Sequence, residues 1–216
     1  MAGGGGRCEM VKWIAGLVAL AVAVGAAIWV GYSRGHGGLP AVFGSLERSV
    51  AIRADYQVYT TLEELVEEAS VIAVGMVEGV EGTRNLARDP DNPDLPHPSL
   101  EIIGYDYRFV VEEYLKGDGP DTILVTEARK FLSHGREGIP AEPPAPEMES
   151  GGRYILFLNR AADAEGRWIG VAEPWRFALR DAEVQVESMW EAAPRAFPSV
   201  GEGEFVDQIR TLVSAL

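Results

Sequence analysis

Few residues in this 216-residue chain are of a type and spacing that could do chemistry. "FLSHG" sets Ser133 beside His134, the one nucleophile–base neighbour pair for a hydrolase. Consecutive residues point apart, and no Gly-x-Ser-x-Gly elbow surrounds the serine, so a polar turn is the plainer reading. "RDPDNPDLPHP" offers Asp89, Asp91 and Asp94 as oxygen ligands for calcium. The EF-hand pattern fails there, because Pro93 takes a ligand position and Asp94 the glycine position. His97, between two prolines, reads as a solvated loop residue. Glu112 and Glu113 are consecutive in a strand pattern and so cannot face one another. Three scattered histidines give no metal-ligand spacing, and HExxH, a P-loop and a strand-borne GxGxxG are all missing from the sequence. The expectation is a protein with no catalytic, cofactor-binding or metal-ligating residues.

Location is easier to read. "WIAGLVALAVAVGAAIWVGY", Trp13–Tyr32, has no charge and no proline. As a helix it would span roughly 30 Å, the thickness of a bilayer's hydrocarbon core. Trp13 at one end and Trp29 and Tyr32 at the other suit the two interfaces. The competing reading is a cleaved signal peptide, with Arg7 and Lys12 as its charged region and Ala21-Val22-Ala23 as its cleavage pattern. The apolar run continues to Val30, past that site, which favours an uncleaved anchor. Arg7 and Lys12 place the short tail in the cytoplasm by the positive-inside rule. The expected order is a cytoplasmic tail 1–12, a signal anchor 13–32, a Gly-rich stalk 33–55 and an extracytoplasmic domain 56–216, giving a single-pass plasma-membrane protein. Cys8 precedes the apolar run, so it is read as a plain cytoplasmic thiol rather than a lipid attachment site.

Beyond the anchor there is no cysteine, so the domain must fold around a real core without disulfides or thiolate zinc. Arg7, Lys12 and Glu9 precede position 33, leaving 17 basic against 32 acidic residues, a net −15. That charge opposes nucleic acid and anionic lipid as partners.

The elements that must carry any site are mainly strands. "YTTLEELVEEAS" predicts a short helix with Thr61 and Glu64 as a capping box. "VIAVGMVEGV", 71–80, predicts a strand with a bulge or close crossing at Gly75, followed by a loop over 81–104. In 105–118, period two sets Tyr105, Tyr107, Phe109 and Val111 on one face and Asp106, Arg108 and Glu112 on the other. "DTILVTEAR" follows, then a proline-rich connector containing Pro140, Pro143, Pro144 and Pro146. "RYILFLNRA" is apolar on both faces and so should be buried on both. Two or three further strands carry Trp168 and Trp175 nearby, read as packing groups. "GEGEFVDQIRTLVSAL" predicts a closing helix with Phe205, Val206, Ile209, Leu212, Val213 and Leu216 on one face. About six strands with a helix at either end indicate a small closed or half-closed OB-like β-barrel.

The strand ending Phe109, Val111, Leu115-Lys116-Gly117, and the later Gly151-Gly152 with Tyr154, Phe157 and Leu158, resemble the netrin/TIMP-like module over about 60–190, a pattern also found in exported bacterial proteins. The resemblance implies an OB-type barrel. Inhibitory members of that family chelate a protease metal through a free N-terminal cysteine, and this domain has none. The functional expectation is a membrane-anchored extracytoplasmic domain that binds a protein or other ligand at the cell envelope, with no catalysis and no nucleic-acid partner. The alternatives are a peptidase-inhibitor-like module or a hydrolase using Ser133 and His134.

Overall fold

The computed structural model describes residues 51–52, 57–140, 145–162 and 164–216. The tail, the Trp13–Tyr32 anchor and nearly all of the stalk lie outside the described residues. Among the described residues no helix is long and apolar enough to cross a membrane. The chain order is β1 (Ala51–Ile52), α1 (Leu62–Glu68), β2 (Val71–Asn85), β3 (Leu100–Lys116), β4 (Thr122–Ser133), β5 (Arg136–Glu137), β6 (Ile139–Pro140), β7 (Arg153–Arg160), β8 (Arg167–Gly170), β9 (Arg176–Arg180), β10 (Glu183–Glu187), α2 (Ala193–Ala196), β11 (Val200–Gly201) and α3 (Glu202–Ser214). The domain is mainly β, with a short helix before the large strands and a longer one at the C-terminus. Ala51 and Ile52, within the expected stalk, pair in parallel with Ile139 and Pro140.

The helix α1 starts where its cap dictates. Thr61 Oγ1 accepts from the Glu64 N–H at 3.3 Å, and Glu64 Oε2 accepts from the Thr61 N–H at 3.3 Å, satisfying donors the helix leaves open. Its far end is closed by Lys116 Nζ, which donates to the carbonyls of Val66 at 2.6 Å and Glu67 at 3.1 Å.

The central strands pair in the order β9–β7–β2–β3–β4. β8 then pairs in parallel with β4 and antiparallel with β7. The hydrogen-bonded path thus runs β7–β2–β3–β4–β8 and returns to β7. Alternation sorts the side chains into two cores. Val71, Ala73 and Val77 of β2, Tyr107 and Phe109 of β3, Ile123 and Val125 of β4, Tyr154, Leu156 and Leu158 of β7, and Trp168 of β8 meet one another. The opposite parity of β2 and β7, Ile72, Val74, Ile155 and Phe157, packs with Phe177 beneath Leu65 and Val66 of α1 and Phe205, Val206 and Ile209 of α3. This explains why β7 reads apolar on both faces. Leu212 and Val213 lie partly buried against the same cluster, whereas Leu216, expected on that face, is past the helix end and exposed.

Gly75 is where strands come too close for a side chain. The pairing slips between Val74 and Gly75, and a Cβ there would lie 2.1 Å from the Val110 carbonyl oxygen and 2.8 Å from the Phe109 ring. Because that neighbour is backbone, Gly75→Ala is expected to lower stability by roughly 1–3 kcal/mol. The check is a reduced urea midpoint at an unchanged denaturant slope.

Two boundaries differ from expectation. The segment 81–104 is not all loop: β2 runs on to Asn85 and β3 begins at Leu100, so the two form a long hairpin. Beyond Met76, the last β2 residue paired with β7, β2 pairs with β3 alone among the described strands. That stretch carries register shifts between Val77 and Gly79 and again between Val80 and Gly82. Asp106, on the strand face opposite Tyr105, Tyr107 and Phe109, is buried. Register sets it opposite Thr126, whose hydroxyl donates to it at 2.5 Å. Arg167 Nε at 3.0 Å and Arg84 Nε at 3.4 Å cover it from neighbouring strands.

Candidate functional site

The residues singled out from sequence are dispersed. Ser133 is the last residue of β4, pairing with Leu100 and Arg136. His134 follows in an exposed left-handed turn, φ 50°, with its backbone N–H donated to Ser99 O at 2.8 Å. Asp89 Oδ1 accepts from the N–H groups of Asp91 at 2.8 Å and Asn92 at 3.3 Å, so this carboxylate shapes its own turn. Among the described residues, no group of three or more His, Cys, Asp and Glu is placed to hold a metal ion. His97 is half-buried rather than solvated: its Nδ1 accepts from the N–H groups of Ser99 at 3.2 Å and Leu100 at 3.0 Å, organising the entry to β3. Glu112 takes Arg153 at 2.8 Å and Glu113 takes Arg210 at 2.7 Å, two separate ion pairs. Trp168 and Trp175 are both buried in the core.

A buried charge cluster was not singled out from the sequence. Arg176 is fully buried. Its Nη1 donates to Glu127 Oε1 at 2.9 Å, its Nε lies 3.4 Å from Glu187 Oε2, and its Nη2 donates to the Pro146 carbonyl. Arg129 shares Glu127 Oε1 at 3.2 Å and donates to Ala145 O at 2.8 Å. The two guanidinium groups therefore fasten residues 145–146 over this end of the strands. Tyr107 OH, Glu127 Oε2 and Arg129 Nε are buried with no hydrogen-bond partner among the described residues. The sequence held one signal: Ile123, Val125, Glu127 and Arg129 continue a single period-two face, so the apolar side of β4 runs straight into charge.

Burial decides the protonation behaviour of this cluster. Desolvation raises the pKa of Glu127, outweighing the attraction of Arg176 and Arg129. Desolvation likewise raises Glu173, despite its bond from Ser188, and Glu187, despite Arg176 and Arg180. Burial, reinforced by Glu127, pushes the Tyr107 phenol up to about 12. A carboxyl whose folded-state pKa is raised takes up a proton more readily when folded. Its cost to the fold is complete above that raised value and gone below the unfolded value. The three glutamates should therefore make the domain more stable as pH falls from neutral towards the ordinary glutamate pKa of 4.5. Urea midpoints at about pH 7 and about pH 5 test this, and a lower midpoint at the acidic value contradicts it.

On the helical side the surface is open. A cleft of about 620 Å³ between α1 and α3 is lined by Leu62, Glu63, Glu204, Asp207, Gln208, Thr211 and Leu212. Beside it, a groove of about 400 Å³ over Val74 and Val206 is bordered by the Glu112–Arg153–Glu202 and Glu113–Arg210 pairs. The chain matches no family model and no curated protein.

Proposed function

We propose that this chain is a membrane-anchored extracytoplasmic binding module built on an OB-like barrel of the netrin/TIMP kind. In this reading residues 13–32 hold it in the plasma membrane, and it binds a protein partner without catalysing a reaction. The observation that carries the barrel reading is the parallel β4–β8 pairing within an otherwise antiparallel cycle of five strands. The binding reading is supported by how the polar groups divide. The buried charges around Arg176 and Asp106 are tied to other parts of the fold, while the clefts beside α3 open outward. Fold likeness alone transfers no activity, so the test is direct. Protease added to intact cells producing the full chain should remove the domain and spare the tail. Crosslinking before solubilisation should then capture a reproducible partner. A domain protected from protease until the cells are opened contradicts the location, and repeated capture of nothing contradicts the binding role.

A peptidase-inhibitor role is the second reading, favoured by the loop between β2 and β3. Leu95 is 52 % exposed there, yet the loop is pinned by bonds from the Asp89 N–H to Leu95 O at 2.9 Å and the His97 N–H to Ala87 O at 3.2 Å. A pinned loop with an apolar tip loses little entropy on entering a protease cleft. Envelope proteases keeping full activity in a large excess of the protein would end this reading.

A further inference from the structure

We propose that the cleft between α1 and α3 is the docking groove for a basic amphipathic segment of a partner protein. This rests on the binding-module reading and names the partner chemistry of one site within it.

α3 has two stripes. Phe205, Val206 and Ile209 are buried against the sheet. Glu204, Asp207, Gln208, Thr211 and Leu212 follow the spacing i, i+3, i+4, i+7, i+8 along the cleft, a second helical face. That face is about 12 Å long, enough for two to three turns of a helix laid beside it. Leu62 of α1 and Leu212 of α3 are half-buried and give the cleft apolar contact surface. Its rim is of one sign: the lining side chains include Glu63, Glu204 and Asp207 and no basic group. Arg210, 3.4 Å from Asp207, is also drawn to Glu113 at 2.7 Å, so its charge is shared with the neighbouring groove. Glu64, Glu67 and Glu68 on α1 are exposed and extend the negative field. A segment placing Leu-type anchors on one face, with Lys or Arg flanking them, answers both features. An acidic segment, nucleic acid or anionic lipid would meet repulsion.

The test uses the full chain in nanodiscs of uncharged lipid, with empty nanodiscs as the blank. The probe is a fluorescent helical peptide of about three turns carrying Leu on one face and Lys on its flanks. Binding by anisotropy should weaken as salt rises. It should fall roughly tenfold or more in Glu63→Gln/Glu204→Gln/Asp207→Asn, and several-fold in Leu212→Ser, which keeps every charge. Asp89→Asn/Asp91→Asn/Asp94→Asn removes the same charge elsewhere and should bind as the parent does. Circular dichroism verifies that each variant is folded. Absent binding, equal weakening in the Asp89/Asp91/Asp94 variant, or equal affinity for a probe with Ser replacing Leu each overturns the proposal. If the peptide fails while crosslinking still captures a partner, the groove alone is lost and the binding-module reading stands.

Discussion

Arg176→Ala is expected to destabilise the domain by roughly 3–5 kcal/mol, the cost of taking from two buried carboxylates the cation that lies between them. For a domain of this size that is a fall of about 10–15 °C in Tm. The reason is geometric. Arg176 is fully buried and holds Glu127 on one side, Glu187 on the other and the Pro146 carbonyl beyond. Removing the guanidinium leaves Glu127 to Arg129 at 3.2 Å, Glu187 to Arg180 at 2.8 Å and the Pro146 carbonyl to Arg129 at 3.4 Å, so each loses its fully buried donor. Replacing the buried ionic group as a whole, Arg176→Met and Arg129→Met with Glu127→Leu and Glu187→Leu, should recover most of the loss, because an apolar cluster of similar volume needs no desolvation of charge. The single variant should also gain more stability on mild acidification than the parent, since Glu127 and Glu187 then lose the larger of the two cationic attractions that oppose their protonation, keeping only Arg129 and Arg180. A single variant that melts within a few degrees of the parent would show that Arg176 is dispensable to the fold.

Phe177→Ala should cost a comparable 3–5 kcal/mol, by a different mechanism. Phe177 is 1 % exposed and touches three other rings: Phe157 and Phe197 at 5.5 Å and Phe205 at 5.0 Å between centroids. These rings come from β7, the residue after α2, and α3, so one side chain joins the sheet to the C-terminal helix. Truncation leaves a cavity that the three remaining rings, held in different parts of the fold, cannot close together. The expected signature is hydrogen exchange that accelerates in α3 before it does in β2 and β3. Uniform acceleration across the domain would mean that the helix and the strands unfold together.

Local chemistry was legible in the sequence wherever a short-range rule governs. The Thr61–Glu64 cap, the close crossing at Gly75, the two-faced burial of Tyr154–Leu158 and the Phe205–Val206–Ile209 stripe each depend on spacing within a few residues. What was hidden depends on register between distant segments. "RWIG" is too short to announce that it joins β4 to β7, and that pairing is what closes the path of strands. Period two sets Asp106 on the polar face of its own strand with Arg108 and Glu112, yet Thr126, Arg84 and Arg167 reach it from three other places in the chain. Arg176 looks like a strand's charged flank until Glu127, 49 residues earlier, is seen beside it. The stretch "EGTRN" reads as loop because it runs into "RDPDNPDLPHP", whose Pro, Asp and Asn hold no central strand. It pairs all the same, because β3 supplies the template.

The same stretch bears on how copies of this protein would meet if the membrane-anchored reading proposed above holds. A domain so tethered would meet its neighbours at high local concentration, and an open strand margin is where they would zip together. Past Val77, whose N–H and carbonyl are bonded to Gly152 and Gly151, the margin of β2 is kinked twice within a few residues, and Glu78 and Glu81 stand along it. A neighbour's straight strand would lose its hydrogen-bond phase at each kink. An irregular margin of this kind opposes strand-to-strand pairing between adjacent copies.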